Sequence, residues 1–233
     1  KQNNAFIPPV CFSVADFIDF LYEEKLSRND KKIDELDALA LLYEIHQKSP
    51  DKIGKDGYLP PDMFFSPGMK IFRDIEDFYI NLVPFSLVKQ GEGLITEKIP
   101  ANTALKIGSL SRYYKEFDEK LARLNLSTGG TRFKYVIDNF HKIDLCEFKQ
   151  MFFCGIFVLN KAEEMLLKKV SDFDNVTFFF QDGKKIEKVL SKLGINLKSN
   201  KHGIESNEPE LNFYSSPDTH GQVFALAGIL KNF

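Results

Sequence analysis

The run Met151-Phe-Phe-Cys-Gly-Ile-Phe-Val constrains the fold more than any other stretch of the chain. Eight apolar or small residues without alternation match a strand of a parallel sheet covered on both faces. The chain beyond it keeps the same rhythm. Lys161 to Val170 is an amphipathic helix, Asn175 to Phe180 a second apolar strand, and Lys184 to Leu193 a helix ending at a C-cap glycine, Gly194. After the polar stretch 198–210, Leu211 to Tyr214 reads as a third strand and Gln222 to Lys231 as a closing helix. Strand and helix in alternation predict an α/β fold, a parallel sheet with helices on both faces. Residues 6–14 read as a short buried strand, and Pro9 to Ser13 could join that sheet. Ser13 caps a helix running to about Tyr22, with Phe17, Ile18 and Leu21 on one face.

The middle of the chain has a different period. Helices are predicted over about Lys32–His46, Gly68–Leu82 and Leu105–Leu124, with a shorter one over Arg132–Phe140. In the third of these, Leu110, Tyr113, Tyr114, Phe117 and Leu121 line one face. Residues 49–61, with Pro50, Gly54, Gly57, Pro60 and Pro61, read as a loop, and Leu126-Ser-Thr-Gly-Gly-Thr as a turn. The expected organisation is therefore a sheet region over 1–29 and 141–233, with 30–140 as a mostly helical insertion.

Composition narrows the function classes. The 233 residues are 43% hydrophobic and 27% charged, as in a globular protein. A formal charge of −2 gives no global attraction to nucleic acid or anionic lipid, which still permits a local basic groove. Cys11, Cys146 and Cys154 form neither a Cys-x-x-Cys pair nor an even set, so a reducing, cytoplasmic setting is expected. No apolar run approaches the roughly 20 residues of a membrane span, and no signal peptide is visible. Lys1 stands in place of an initiator Met, as in a piece of a longer chain.

Catalytic motifs are missing. Gly54-Lys55 is followed by Asp56 and Gly183-Lys184 by Lys185, so neither makes a phosphate-binding P-loop. Gly-x-Gly-x-x-Gly, Gly-x-Ser-x-Gly and His-Glu-x-x-His do not occur. His46, His141, His202 and His220 are scattered and read as surface or structural. Asp138 or Asp144 with Glu147-x-Lys149 has the outline of a metal-dependent nuclease site of the PD-(D/E)XK type. Glu147, however, precedes the apolar strand instead of lying on a strand beside a second carboxylate, and ordinary surface charge is the preferred reading. Lys184, Lys188 and Lys192 recur every four residues on one helix face, which suits a solvated surface or contact with DNA phosphates.

Several segments, in order, resemble the AddB-type subunits of bacterial helicase–nucleases that carry a PD-(D/E)XK nuclease domain. Met151-Phe-Phe-Cys-Gly-Ile-Phe-Val-Leu-Asn-Lys-Ala-Glu-Glu-Met-Leu-Leu is similar to that family's strand, turn and amphipathic helix. Val176-Thr-Phe-Phe-Phe-Gln-Asp182 and Tyr214-Ser-Ser-Pro-Asp-Thr-His-Gly-Gln222-Val resemble the elements that come next, and Pro8-Pro9-x-x-x-Ser13-Val-Ala-Asp16-Phe17 resembles its first strand and helix. Leu39-Ala-Leu-Leu-Tyr43, Phe65-Ser-Pro-Gly68 and Phe72-Arg-Asp74-Ile75 extend the likeness over most of the chain.

The resemblance implies a P-loop-NTPase-like helicase fold that has lost its ATPase site. The positions of the Mg²⁺-holding carboxylates would fall near Gly155 and Ile156, which cannot bind the ion. It implies no cofactor in this chain. DNA and an AddA-type helicase subunit are the implied partners, and the implied function is a non-catalytic module positioning DNA or that subunit in double-strand-break repair. The alternatives are an interaction domain without a nucleic-acid role and a nuclease using Glu147 and Lys149.

Ligands of open α/β sheets lie beyond the carboxyl ends of the strands. That places the expected DNA contacts at Gln181, Lys184, Lys185, Ser215, Ser216, Thr219, His220 and Gln222. Three further expectations concern 151–182. It should form strand–helix–strand with both strands parallel and central, Gly155 should sit where a side chain would crowd the strand end, and Glu163 and Glu164 should be helix N-terminal charges behind the N-cap Asn160.

Overall fold

The computed structural model describes residues 9–48, 59–92, 101–156, 158–180, 190–191 and 194, all within one compact unit, Lys1–Asn196. Helices dominate it. Helix α1, Val14–Phe20, starts at a capping box in which the Ser13 hydroxyl accepts from the Asp16 amide and the Asp16 carboxylate accepts from Ser13 N–H. It runs on as a π-helical turn, Leu21–Lys25. Strand β1, Lys31–Lys32, precedes α2, Glu35–Lys48. Then come α3, Pro61–Ile80, α4, Phe85–Glu92, and α5, Ala101–Leu124. Strand β2, Leu126–Ser127, leads into α6, Gly129–Asn139. Strand β3, Met151–Cys154, helix α7, Lys161–Val170, and strand β4, Val176–Phe179, complete the order.

The expected large parallel sheet is not what forms. Two separate two-stranded parallel sheets exist among the described residues, β1–β2 and β3–β4, and helices make up most of the rest. Two physical reasons account for this. Pro9 to Ser13 makes no strand, because paired prolines remove the ladder donors, and Val10 is 77% exposed. The apolar run at 151 stays in a ladder only to Cys154, where Gly155 turns the chain at φ +73°. A Cβ on Gly155 would meet nothing, so the glycine serves that left-handed turn and does not relieve crowding.

Strands β3 and β4 are parallel, with Met151 opposite Val176 and Cys154 opposite Phe179. The unit 151–179 is thus strand–helix–strand, but its strands are not central. Met151, Phe153, Val176 and Phe178 face the core, whereas Phe152 and Phe179 on the other face are 60% and 55% exposed. The third strand expected at Leu211–Tyr214 and the helix over 222–231 lie outside the described residues, as does most of the helix over 184–193. Gly194 itself has φ +70°, as a helix-terminating glycine requires.

Two hydrophobic cores result. One gathers Ile33 with α2, α3 and α5 around Leu42, Phe64, Ile75, Tyr113 and Phe117. The other gathers α1, α6 and α7 with the inner face of β3–β4 around Ile18, Leu21, Val136, Leu145 and Leu166.

Helix α3 begins seven residues before the predicted Gly68, with Pro61 in its first turn and Pro67 inside. The extra turns bury Phe64 in line with Ile71, Phe72 and Ile75, and that burial outweighs the one backbone bond a proline forgoes. Helix α6 likewise begins at Gly129, not Arg132, because Thr128 caps it in a box with Thr131. A Cβ on Gly130 would lie 2.9 Å from both Glu76 Oε1 and Tyr79 Cβ, so glycine there lets α3 approach.

Candidate functional site

Helix α5 buries Tyr113, Phe117 and Leu121 and so turns its opposite stripe outward. The charged flank between that stripe and the buried face carries Arg112, Lys115, Glu116, Glu119, Lys120 and Arg123, with Lys120 itself buried. Helix α2 adds Glu44, Ile45 and Lys48, and between the two helices runs a groove of about 620 Å³. Five cations and three carboxylates line it. Arg112 pairs with Glu116 and Lys115 with Glu119, each at 3.7 Å and one helical turn apart. Lys120 pairs across the groove with Glu44.

The cross-groove pair is asymmetric. The Lys120 side chain is 9% exposed and that of Glu44 is 54% exposed. The Lys120 hydrogen bond holds the Glu44 carboxyl below its ordinary range; desolvation opposes it, and the charges of Lys120, Lys48 and Arg123 add to the lowering. Lys48 and Arg123 are themselves exposed. The groove therefore presents a carboxylate surrounded by three cations, an arrangement suited to oxyanions.

Beneath it lies His46, fully buried. Its Nε2 accepts from the Leu59 amide at 3.0 Å, its Nδ1 is 3.1 Å from the Tyr113 hydroxyl, and its ring stacks on Phe64 at 4.7 Å. An Nε2 that accepts is unprotonated, and burial together with the Arg112 charge pushes its pKa down. His46 is thus a neutral structural histidine, as the sequence suggested.

A second charged cluster sits where α1, α6 and β1–β2 meet. Arg132 is 2% exposed. Its Nε donates to Ser127 Oγ at 2.9 Å, Nη1 to Asp19 at 3.0 Å and Glu23 at 2.6 Å, and Nη2 to the Asp30 carbonyl at 3.0 Å. Tyr22 lies under the guanidinium and bonds Asp30 in turn. Nearby, half-buried Glu76 accepts from Thr128 Oγ1 and from Gly130 N at 2.8 Å. Burial pushes its pKa up, partly offset by those bonds. The N-terminus of α6, a glycine-rich end fit for an anion, is thus filled by the protein's own carboxylate.

The residues singled out from sequence divide clearly. Gln181, Lys184, Lys185, Ser215, Ser216, Thr219, His220 and Gln222 all lie outside the described residues. The nuclease-like residues do not converge: Asp138 pairs with Lys134, Asp144 accepts from the Cys146 amide, and Glu147 pairs with Lys25. Among the described residues no three His, Cys, Asp or Glu side chains are grouped to hold a metal ion. Glu163 closes a capping box with Asn160, and Glu164 pairs with Lys161 at 3.2 Å, so both are first-turn charges as expected.

Sequence reasoning does not find the groove. Arg112, Lys115, Lys120 and Arg123 on the polar side of an aromatic-striped helix are a visible signal, but Glu44 and Lys48 join them only through tertiary packing. No helix among the described residues is long and apolar enough to cross a membrane. No protein-family model, curated protein or solved structure matches the chain.

Proposed function

We propose that this chain is a non-catalytic module that positions DNA in a double-strand-break repair helicase–nuclease, alongside an AddA-type helicase subunit. The observation that carries the reading is the build of 151–179, the segment in which the family resemblance is longest. There β3 leads through the Asn160–Glu163 capping box into amphipathic α7 and on to a parallel β4. That order is part of what the resemblance implies; the central position it also implies for the strands is absent, since β3 and β4 form a two-stranded sheet with Phe152 and Phe179 exposed. The small sheet is not a helicase core, so the proposal concerns DNA handling and not a helicase fold. Fluorescence anisotropy with a labelled forked duplex over a potassium chloride series tests it. Binding that weakens linearly in log–log form is expected; no binding at about 50 mM salt, a concentration at which phosphate contacts are strong, overturns it.

A second reading, an interaction module without a nucleic-acid role, is favoured by the outward face of β3–β4. Phe152 and Phe179 pack ring to ring at 5.7 Å there while more than half exposed. A chain that fails to bind DNA but loses a protein partner on Phe152→Ser/Phe179→Ser substitution would fit this reading instead.

A further inference from the structure

We infer that the α2–α5 groove is the path of the DNA phosphodiester backbone, with Lys48, Lys120 and Arg123 as its phosphate contacts and Glu44 as an internal anion that the phosphate displaces. This rests on the DNA-positioning reading and gives it a location.

Charge distribution sets the groove apart. A chain at −2 nevertheless concentrates five cations along it, against three carboxylates. Two of those carboxylates, Glu116 and Glu119, are taken up within α5 by the residues one turn before them. Glu44 alone reaches across from α2, and it is the carboxylate on which Lys48, Lys120 and Arg123 all act. Those three positions surround one anionic point.

Exposure then decides which partner is exchangeable. Lys120 is packed into the wall, so leaving it without a counter-charge would be costly. Glu44 stands mostly in water and loses little by turning away. A phosphodiester carries the same single negative charge as the carboxylate. Exchanging one for the other keeps Lys120 paired throughout and returns Glu44 to solvent. In the absence of DNA the tethered carboxylate also lowers non-productive attraction for stray small anions, because any of them must compete with it.

Length supports a polymer over a lone phosphate. From Arg112 to Arg123 the groove follows α5 for about 16 Å at 1.5 Å per residue. Phosphates on one DNA strand recur about every 3.4 Å of axis, so several can lie along it. The lining is charged apart from Ile45 and carries no aromatic ring for a base to stack on, so contact is to backbone, independent of sequence.

The test uses the full chain and the labelled forked duplex, with circular dichroism confirming the fold of each variant. Lys48→Glu/Arg123→Glu should weaken binding at least about tenfold near 100 mM salt and reduce the log–log salt slope by about two, one for each phosphate no longer neutralised. Glu44→Gln, which keeps an acceptor for Lys120, should tighten binding several-fold, and by more than Glu35→Gln, an equal charge change at the far end of α2. Inorganic phosphate at equal ionic strength should not compete better than chloride; if it does, the site is one for a small anion and the backbone path is wrong. If the parent binds DNA but the double variant matches it in affinity and slope, the groove is overturned while the DNA reading survives. Should Glu44→Gln and Glu35→Gln act alike, the displacement step falls. If the parent does not bind at all, both fall together.

Discussion

Arg132 and Lys120 are both cations packed into the protein, and they are satisfied to different degrees. Every nitrogen of the Arg132 guanidinium has a partner, among Ser127, Asp19, Glu23 and the Asp30 carbonyl, and two of those partners are buried. Lys120 has its partner, Glu44, on the solvent side of a groove. A fully saturated cation holds elements together and has nothing left to offer a ligand. A cation held by a single carboxylate that stands mostly in water can change partners. The difference separates a structural cluster from a candidate site without appeal to any motif.

That contrast can be broken most forcefully at Arg132. Arg132→Ala should cost about 3 kcal/mol or more in urea denaturation, since it leaves the buried Ser127 hydroxyl and Asp30 carbonyl unpaired at about 1–3 kcal/mol each, while Asp19 keeps Lys32 and Glu23 turns to water. Arg132→Lys should recover only part, because an ammonium cannot span the same fork of acceptors. A loss under about 1 kcal/mol would make the cluster as dispensable as a surface pair.

Gly130→Ala comes next. The added methyl meets Glu76 Oε1 and Tyr79 Cβ at 2.9 Å, and Tyr79 Cβ is fixed to its backbone with little room to give. Overpacking of this kind costs about 1–3 kcal/mol, and the thermal midpoint should fall accordingly.

The two regions should also part on a pH axis. Neutral His46 under the groove has a depressed pKa, so the unfolded chain takes up a proton near the ordinary value of 6.5 before the folded chain does. Its stabilising contribution is complete above that value and is lost as pH falls below it. Glu76 has a raised pKa, so its contribution is complete below the ordinary value of 4.5 and is lost as pH rises through the folded one. Chemical denaturation from pH 8 to 5 should show declining stability that His46→Gln flattens, while Glu76→Gln should act on the more acidic limb. A decline from pH 8 to 5 that His46→Gln leaves intact would assign it to other groups.

The smallest stability effect is expected at the groove itself. Lys120→Met removes a cation whose partner is already in water, and should cost no more than about 1 kcal/mol, yet it should remove about one unit of salt slope from DNA binding. A large stability loss with unchanged binding would place Lys120 with Arg132, as a strut.

Helix faces and caps are legible in the sequence because they are local. Ser13 and Asn160 cap α1 and α7, and Tyr113, Tyr114, Phe117 and Leu121 are buried from α5, as spacing implies. The sheet is not legible, because an apolar run has the same composition whether one face is covered or two, and Phe152, Val158 and Phe179 are exposed. Strands β1 and β2 leave no pattern at all, each being two residues and one of them Lys31-Lys32. Pro67 and the Gly129-Gly130 pair look like breaks because only tertiary contacts show why a helix runs through them: Phe64 and Leu39 close over α3 at Gly68, and Glu76 accepts from Gly130. The groove joins 44–48 to 112–123, a pairing no local pattern carries.

The pairing of Lys31 with Leu126 brings the two ends of the stretch 33–125 side by side. The Lys31 amide donates to the Asn125 carbonyl and the Ile33 amide to the Ser127 carbonyl, so the chain leaves and returns through one narrow neck. Closing such a loop depends only logarithmically on its length, about 0.6 kcal/mol per doubling. Over evolutionary time, the helices that carry the groove are therefore free to lengthen, shorten or acquire further turns. As long as the neck, Arg132 behind it and the seat of α3 on α6 at Gly130 are kept, the rest of the protein would register little of the change.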